Sequence, residues 1–576
     1  MRAGGAARPP LGRRAGGRGP GTGGSRSGRR RGRGLRGRRR GALRGGLRRQ
    51  PGRPGGRDGP DRDERPLRPR PRGGGPGRRG PAARRPRGGR RRPRRPAGGG
   101  RLGGLARPVA RGAGDREVPR RPHRRADGAG GRAPVRARAG AARGGDPLRS
   151  GELLFQAARR FGTPLYLYDL DAVERRAAAL RAALGERFTL AYAVKANPSL
   201  AVLSLLSRLG LGADVASRGE LRAARAAGFP PRRILATGPA KSEADLDALV
   251  AARVSQIHVE GTEELDRLEA VAARRGRVVR VGLRLNPPWG IAEARTIIGG
   301  PGAKKFGFDL PSARRALASR DRWPHLSVRG FQVFNASNVL DAGLLVENTR
   351  RVLALAVRLA RAFDVPLETV DFGGGLGVPY APGERSLDLG RLSAGLSEVA
   401  REAEREPLLD GTRLVFEPGR FLVGEAGVYV TRVLGTKRSR GVTYALVDGG
   451  VHHLLRPALI GTPHPVERFG DGPGGPSTRV VVAGPLCTSL DLLHPGVAMP
   501  LPEPGDLLVV RVAGAYGYTE SMPLFLSHEW PAEVGHSRGR LALLRRPPGA
   551  AALLAAQRDP FRRPPATRSH PSARRP

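Results

Sequence analysis

Leu190-Ala-Tyr-Ala-Val-Lys-Ala-Asn-Pro198 is a short apolar run that ends in a lysine and breaks at Asn-Pro. This pattern predicts a buried β-strand followed at once by a loop. Lysine is scarce in the chain, because only five occur among 104 basic residues. A barrel enzyme would place a lysine that forms a Schiff base at the carboxyl end of a strand, so Lys195 is the first candidate for a reactive group.

Residues 186–420 alternate short apolar runs with stretches rich in Ala, Leu, Arg and Glu that have helical spacing. Eight strand-like runs, each followed by a helix or a loop, predict an α/β fold built on a (β/α)8 barrel. An open doubly wound sheet is the alternative, but no run opens into the Gly-x-Gly-x-x-Gly turn of nucleotide-binding sheets. The eight runs are Thr189–Val194, Leu211–Ala216, Arg233–Thr237, Gln256–Glu260, Val278–Leu285, Val328–Phe334, Thr369–Phe372 and Arg413–Phe416.

After residue 421, β-rich runs are separated by Gly/Pro turns, which predicts a second, antiparallel β domain. Its predicted strands are Val428–Leu434, Thr443–Val447, Arg479–Ala483, Asp506–Val512 and Arg540–Leu544. The lead-in before the first barrel strand either adds a strand and a helix to the β domain or caps the barrel. The predicted division is an Arg/Gly/Pro-rich segment at 1–146, the lead-in at 147–188, the barrel at 189–421, the β domain at 422–546 and a tail at 547–576.

The net charge of +54 belongs to the ends of the chain rather than to its middle. Residues 1–150 hold 47 arginines, no lysine and eight acidic residues, and residues 537–576 hold ten arginines and one aspartate. Such segments carry too few large apolar side chains to fold, so both ends are predicted to be disordered. The first is either an Arg/Gly-rich tail that binds nucleic acid or the product of a mis-set start site in a GC-rich gene. No aromatic residue precedes Phe155 to stack on bases, which makes nucleic acid the weaker interpretation.

Cys487 is the only cysteine, which excludes an intramolecular disulfide and a thiolate metal cluster. No metal site is predicted. The chain shows no apolar core of a secretory signal near its start and no apolar stretch long enough to span a membrane. We therefore expect a cytoplasmic protein.

Polar residues and glycines collect at the predicted strand ends, which meet at one face of a barrel. Strand one ends in Lys195, strand six in Phe334-Asn-Ala-Ser-Asn338, strand seven in Asp371-Phe-Gly-Gly-Gly-Leu-Gly377 and strand eight in Phe416-Glu-Pro-Gly-Arg-Phe421. Three successive glycines let backbone N–H groups approach a phosphate, to which Ser337 and Arg420 add a hydroxyl and a charged fork. Glu417 offers a carboxylate to a protonated ring nitrogen, so the set describes a pyridoxal phosphate site.

These motifs resemble those of the fold-type III pyridoxal phosphate-dependent decarboxylases, the family of the diaminopimelate, ornithine and arginine decarboxylases. The resemblance runs in order from about residue 160 to residue 536. It is carried by Tyr192-Ala-Val-Lys-Ala-Asn197, Gly212-Ala-Asp-Val-Ala-Ser-Arg-Gly-Glu-Leu221, the glycines from Gly373, Glu417-Pro-Gly-Arg420, Cys487-Thr-Ser-Leu-Asp491 and Gly514-Ala-Tyr516. It implies a barrel plus a β domain, and a homodimer whose two active sites lie at the interface.

The resemblance also implies a role for each site residue. Lys195 would form the internal aldimine with pyridoxal 5'-phosphate, and Glu417 would face the ring nitrogen. Cys487 would return a proton to the substrate carbon from the partner subunit, together with Asp491, and Arg456 would hold the substrate. The remaining cofactor contacts would be Ser337, Gly373, Gly374, Gly375, Gly419, Arg420 and Tyr516.

Three positions depart from the diaminopimelate enzymes. Thr488 follows the cysteine where a glutamate is common, and Ile460 stands where a tyrosine follows the substrate arginine by four residues. Both changes remove groups that would recognise the distal end of diaminopimelate. Phe334 replaces a histidine that stacks on the cofactor ring, and a phenyl ring can still stack there. The segment 331–341 looks closer to decarboxylase-like proteins of secondary metabolism, some of which act on modified or carrier-bound amino acids.

The sequence therefore predicts a pyridoxal phosphate-dependent L-amino-acid decarboxylase of the diaminopimelate/ornithine type, with the amino acid left open. A decarboxylase of a modified or carrier-bound amino acid is one alternative. An amino-acid racemase would share the barrel, but Cys487 with Asp491 fits the decarboxylase pattern. A catalytically silent pyridoxal-binding homologue is the last alternative, and the retention of Lys195, Cys487 and Glu417 argues against it.

Overall fold

The structure, a computed structural model, describes residues 146–291, 305–470, 472 and 474–561. The predictions for residues 1–145, and for residues 562–576 of the tail, lie outside this part of the chain. None of the helices within it combines the length and the apolar character that crossing a bilayer requires.

The lead-in segment divides between the two parts of the fold. It comprises helix α1 (Gly151–Phe161), strand β1 (Leu165–Asp169) and helix α2 (Leu170–Leu184). α1 and β1 pack in the β domain, where Leu154 and Leu165 are buried in one apolar cluster. The apolar face of α2 packs on the barrel instead. The lead-in thus supplies both a strand and a helix to the β domain and a covering helix to the barrel.

Eight parallel strands close into a barrel in which each strand pairs with the next and the last pairs with the first. The closing pair aligns Phe188 with Leu414 and Leu190 with Phe416. The predicted (β/α)8 barrel is therefore confirmed. The strands are β2 Phe188–Ala193, β3 Gly212–Val215, β4 Ile234–Ala236, β5 Gln256–Val259, β6 Val279–Leu285, β7 Leu326–Val333, β8 Thr369–Asp371 and β9 Arg413–Phe416. The helices are α3 Leu200–Arg208, α4 Arg218–Ala226, α5 Glu243–Ala252, α6 Thr262–Arg274, α7 Leu310–Ala318, α8 Ala342–Phe363, α9 Leu389–Glu404 and α10 Arg420–Val423.

Side-chain caps set where the barrel helices begin. Ser242 and Asp245 form a reciprocal capping box at α5. At α8, the Asp341 carboxylate accepts the backbone N–H of Leu344 at 3.1 Å. Such caps satisfy backbone N–H groups that have no partner inside the helix. The loops before α5 and α8 therefore end at a defined residue, which limits the positions open to the side chains of these loops.

The β domain is a nine-stranded sheet that includes β1. Most neighbours are antiparallel, whereas β1 pairs in parallel with a strand at 532–537, and the strands at 442–447 and 477–483 pair in parallel with each other. The five predicted strands are present, and three further strands, at 466–469, 492–500 and 532–537, were not predicted. The strands are β10 Gly427–Ser439, β11 Val442–Val447, β12 Val466–Phe469, β13 Ser477–Ala483, β14 Leu492–Pro500, β15 Leu507–Val510, β16 Ala532–Ser537 and β17 Arg540–Arg545. Two short helices are α11 Arg456–Ile460 and, in the predicted tail, α12 Ala550–Ala555, which buries no residue.

The two parts of the fold meet at the loop that follows β2. The side-chain amide of Asn197 donates to the carbonyl oxygen of Gly514 at 3.0 Å. The backbone N–H of Tyr516 donates to the carbonyl oxygen of Ala196 at 2.8 Å. Because both bonds are made by the two residues that follow Lys195, the β domain fixes the position of the loop next to this lysine.

Candidate active site

Lys195 lies in a single helical turn, Val194–Ala196, at the carboxyl end of β2. Its Nζ is 2.7 Å from Oδ2 of Asp214, on the neighbouring strand β3. Thr237, just after β4, donates from Oγ1 to Oδ1 of Asp214 at 2.5 Å. Burial alone would lower the pKa of the Lys195 amine, but the carboxyl groups of Asp214 and Glu417 outweigh burial and raise that pKa. The amine is thus held in place as the cation of an ion pair.

Glu417 follows β9 directly and is buried beside Asp371, the last residue of β8. The Gln332 amide donates to Oε2 of Glu417 at 3.3 Å. Oε1 of Glu417 has no hydrogen-bond partner among the described residues. Burial and the nearby carboxyl groups of Asp214 and Asp371 raise the pKa of Glu417 well above its usual value. A buried, unsatisfied carboxyl oxygen of this kind fits a ligand that donates a hydrogen bond.

The glycine run 373–375 follows β8 and has a backbone that requires glycine. Its first and third residues have φ of +64° and +96°, which side chains rarely permit. A Cβ on Gly374 would lie 2.5 Å from the carbonyl oxygen of Glu417. The N–H of Val339 donates to the carbonyl oxygen of the third glycine at 2.8 Å. This bond joins the run to the loop after β7, which carries Ser337.

Two buried arginines stack on two tyrosines at the same end of the molecule. Arg420 donates from Nη1 to the Tyr380 hydroxyl at 2.7 Å, and its guanidinium lies 4.8 Å from the ring centre of Tyr516. Arg456 lies 5.2 Å over the Tyr380 ring and 3.9 Å from Glu520, and its Nε has no partner among the described residues. Within the described residues, the two buried guanidinium groups of Arg420 and Arg456 have one carboxylate, Glu520, within ion-pair range. The excess positive charge attracts anions to this cluster.

Cys487 stands exposed on the turn between β13 and β14, residues 484–491. Asp491, at the end of this turn, accepts backbone N–H groups of Val451 and Leu486, each at 2.7 Å. Within the described part of the chain, the hydrogen bonds of this turn stay in the β domain. Asp491 therefore shapes the turn that presents the thiol, and one chain by itself does not hydrogen-bond this turn to the groups around Lys195.

Sequence reasoning left several residues of the site without a role. They are Asp214, Thr237, Gln332, Asp371 and Tyr380. The first four stand at or just beyond the carboxyl ends of barrel strands. The positional rule that singled out Lys195 applies equally to them, because strand ends converge on one face of a barrel. Tyr380 lies in the long loop after β8, where no sequence pattern marks it.

A closed barrel that carries a lysine, a buried carboxyl group and a glycine run at its carboxyl face, joined to a β domain, defines the fold-type III class of pyridoxal enzymes. Residues 170–424 match the family model of the pyridoxal-dependent decarboxylases, pyridoxal binding domain. The L-glutamyl-[BtrI acyl-carrier protein] decarboxylase of Niallia circulans is 32% identical over 69% of this chain and 94% of its own length. The diaminopimelate decarboxylase of Pseudomonas aeruginosa is 37% identical over 64% of this chain and 87% of its own length.

Solved structures agree with these relatives. The Helicobacter pylori diaminopimelate decarboxylase complexed with L-lysine has a TM-score of 0.63 and 28% identity, and the match covers 70% of this chain and 98% of that one. This chain belongs to the pyridoxal-dependent decarboxylases. The predictions of the family, of a barrel with a β domain and of a carboxy-lyase are confirmed. The relatives are named as decarboxylases, which favours decarboxylation over racemisation.

Proposed function

We propose that this enzyme decarboxylates an L-amino acid at the carboxyl face of its barrel, with pyridoxal 5'-phosphate as cofactor. The ion pair of Lys195 with Asp214, next to the unsatisfied carboxyl group of Glu417, is the observation that carries the proposal. The residues fit the cofactor, because Glu417 offers a free oxygen to a ring nitrogen, Gly374 lets the glycine run lie close against the backbone of Glu417, and Arg420 supplies buried positive charge for a phosphate. When bound, the cofactor supplies an electron sink for the electron pair that the departing carboxylate leaves behind.

Asp214 has two tasks toward Lys195. An ammonium group is not a nucleophile, so Lys195 must lose a proton before it can bind a carbonyl carbon covalently. Asp214 lies 2.7 Å from the amine and is the acceptor in reach. Thr237 donates to the other oxygen of Asp214 and so keeps the carboxylate oriented toward the amine. Asp214 therefore positions Lys195, and it can receive the proton of the amine only once a bound ligand has weakened the ion pair that raises the pKa of Lys195 and lowers that of Asp214.

Cys487 is the proposed acid that returns a proton to the substrate carbon. Its thiol is exposed and stands on a turn that Asp491 holds in shape. In the homodimer that the resemblance implies, the partner subunit's Cys487 would face Lys195. Direct contact of Asp491 with the substrate, the homodimer and a cytoplasmic location stay predictions.

The substrate end of the site is marked by Arg456. A cleft of about 540 Å³ opens beside it and is lined in part by Tyr380, Asn338 and Ile460. The unpaired Nε of Arg456 offers a donor to a carboxylate or carbonyl oxygen. Ile460 presents an apolar side chain to the same cleft, so the position provides no hydrogen bond to a second amino-acid head group. Position 460 thus adds no polar partner for the distal head of diaminopimelate, whereas an acyl end needs none there; Asp341 and Glu384 also line the cleft.

A carrier-bound amino acid is therefore the second candidate substrate. The decarboxylase of Niallia circulans, which is named for an L-glutamyl group on an acyl-carrier protein, matches this chain over 94% of its own length. A glutamyl group joined to a carrier through its distal carboxyl has no second head group. The loss of a polar partner at Ile460 would cost such a substrate nothing.

A carbon dioxide-release screen separates the two substrates. The panel holds free diaminopimelate, lysine, ornithine, arginine and glutamate, together with glutamate joined to pantetheine as a thioester. We expect release from one free amino acid if the first proposal is right, and release from the thioester with none from free glutamate if the second is right. Enantiomer exchange without carbon dioxide release would refute both.

Replacement of Lys195 tests the cofactor assignment independently of the substrate. Lys195→Ala should remove the visible absorbance of the lysine-bound cofactor and lower turnover by about three orders of magnitude or more, because the covalent link is lost. Lys305→Ala, which removes an exposed lysine, is the matched control and should leave the spectrum intact. An unchanged spectrum in Lys195→Ala would refute the assignment.

A further inference from the structure

The barrel interior next to the site holds buried polar side chains that the proposed roles do not use. Gln256 and His258 lie on β5, Gln332 on β7 and Asp371 on β8, beside Glu417. Their exposed fractions are between 0% and 3%. Bulky branched apolar side chains usually fill such interiors. A polar cluster in this place therefore calls for a chemical reason.

Two glycines make room for this cluster. A Cβ on Gly282 of β6 would lie 2.6 Å from Cδ2 of His258 and 2.8 Å from Nε2 of Gln256. A Cβ on Gly330 of β7 would lie 2.1 Å from the carbonyl oxygen of Thr369 and 3.0 Å from the same Gln256 nitrogen. Glycines on the neighbouring strands therefore leave the room that these polar side chains occupy, which indicates that the barrel is built to contain them.

Asp371 connects the glycine run with Glu417. Oδ1 of Asp371 accepts the N–H of Gly373 at 2.8 Å, and the carbonyl oxygen of Gly373 accepts the N–H of Glu417 at 2.7 Å. Oδ2 of Asp371 and Oε1 of Glu417 have no hydrogen-bond partner among the described residues. Nε2 of His258 is 4.0 Å from Oδ2 of Asp371, and the polar atoms of these three side chains lie within 4.8 Å of one another.

Two buried carboxyl groups at this separation cannot both be ionised at low cost. Burial raises the pKa of Asp371 to about 7. Burial and the carboxyl groups of Asp214 and Asp371 raise the pKa of Glu417 as well. Burial, followed by the charges of nearby cations, lowers the pKa of His258 to about 3, so this ring stays neutral. The other charged groups that face the cluster are Lys195, Asp214, Lys241, Arg284 and Arg413.

We propose that Asp371 is a positioning residue that shares one proton with Glu417, with the neutral ring of His258 closing the space beside them. The proton rests on Glu417 while Oε1 of this residue has no hydrogen-bond partner among the described residues. It moves to Oδ2 of Asp371 when Glu417 has to be ionised toward a protonated ligand nitrogen. Charge balances in both states, because one carboxyl group of the pair is always protonated. This inference rests on the proposed function for the identity of that ligand, but not for the proton itself.

The stability of the cofactor-free enzyme tests the shared proton. A carboxyl group whose pKa is higher in the folded than in the unfolded state binds more protons when folded, so the free energy of unfolding falls as pH rises from about 4 to about 7. Asp371→Asn keeps an oxygen for the N–H of Gly373 but holds no acidic proton. We expect it to remove at least about half of that pH dependence, relative to the wild type.

Asp169→Asn is the matched control, because Asp169 is equally buried but lies in the β domain, where it caps α2. Asp169→Asn leaves Asp371 and Glu417 intact, so the fall in the free energy of unfolding that the shared proton causes should persist in it. A pH dependence that is equal in all three proteins would overturn the proposal. So would an equal loss of pH dependence in both variants, since this would show a general effect of removing a buried acid.

Infrared spectroscopy of the wild type keeps the proposal testable if Asp371→Asn fails to fold. The carbonyl band of a protonated carboxyl group should persist near neutral pH, and it should weaken in Glu417→Gln and Asp371→Asn but not in Asp169→Asn. Absence of the band in the wild type would overturn the shared proton. Visible absorbance of the cofactor-loaded enzyme is recorded on the same samples. If the wild type shows no such absorbance, the proposed function is contradicted, whereas the infrared carbonyl band still reports on Asp371 and Glu417.

Discussion

At the scale of single residues, the amine of Lys195 lies near two carboxyl groups of opposite character. Burial alone would raise the pKa of Asp214, but Lys195 and Thr237 outweigh burial and lower it. Glu417 accepts one hydrogen bond, from Gln332 at 3.3 Å, and burial together with the carboxyl groups of Asp214 and Asp371 raises its pKa despite the nearby Lys195. One carboxyl group is therefore an ionised partner of the amine and the other a protonated neighbour. Pairs of acids whose environments separate their pKa values mark sites of proton chemistry.

Cys487→Ala tests the proposed acid. The variant should retain the visible absorbance of the cofactor, because no hydrogen bond joins Cys487 to the glycine run, Glu417 or Arg420 within the described part of one chain. Turnover should fall about 10²–10⁴-fold, the usual contribution of a positioned acid. Stopped-flow and steady-state assays with the substrate from the screen measure both quantities.

Thr488→Ala is the neighbouring control in the same turn and should change turnover by less than about tenfold, since no proton transfer is assigned to it. Equal losses in both variants would show that the turn, and not the thiol, matters. Decarboxylation at the normal rate in Cys487→Ala would remove the acid role.

At the scale of elements, the barrel strands were predictable and part of the β domain was not. Barrel strands such as β2 and β4 are mostly apolar runs, because helices cover one face and the packed interior the other. β14 contains His494, Pro495 and Gly496, which break the strand pattern. β12 and β16 are short and half polar, and they owe their strand conformation to partners far away in sequence.

The loop after β8 requires a glycine at position 374, and a substitution there tests this requirement. Gly374→Ala would place a Cβ 2.5 Å from the backbone of Glu417, which cannot move aside without shifting the strand end. We expect a loss of about 1–3 kcal/mol in the free energy of unfolding and weaker cofactor binding. Gly435→Ala on β10 meets no atom within 4 Å and serves as the control. Denaturant unfolding and cofactor titration measure the two effects. If both variants are tolerated equally, the proposed role of the glycine run in binding the cofactor is contradicted.

At the scale of the whole molecule, the site draws on segments that no local pattern connects. Tyr516 comes from the β domain, yet its ring lies against Arg420 from the barrel. Within the lead-in, β1 packs in the β domain and α2 packs on the barrel. The motifs around Lys195, Gly374 and Glu417 were found in the sequence because they sit at strand ends. Contacts that form only when distant segments meet, such as the stacking of both arginines on Tyr380, need the structure.

Mixed dimers of two different variants test whether the active sites are shared between subunits. If each active site combines Lys195 of one subunit with the partner subunit's Cys487, then a heterodimer of a Lys195→Ala chain and a Cys487→Ala chain contains one intact site. Purified through two different affinity tags, it should have about half of the wild-type activity, because one of two equivalent sites is complete. A heterodimer of a wild-type chain with a chain that carries both substitutions should then have only residual activity, since each site lacks one group. If every chain instead builds its site alone, the two results are exchanged: the first heterodimer is inactive and the second has about half of the activity.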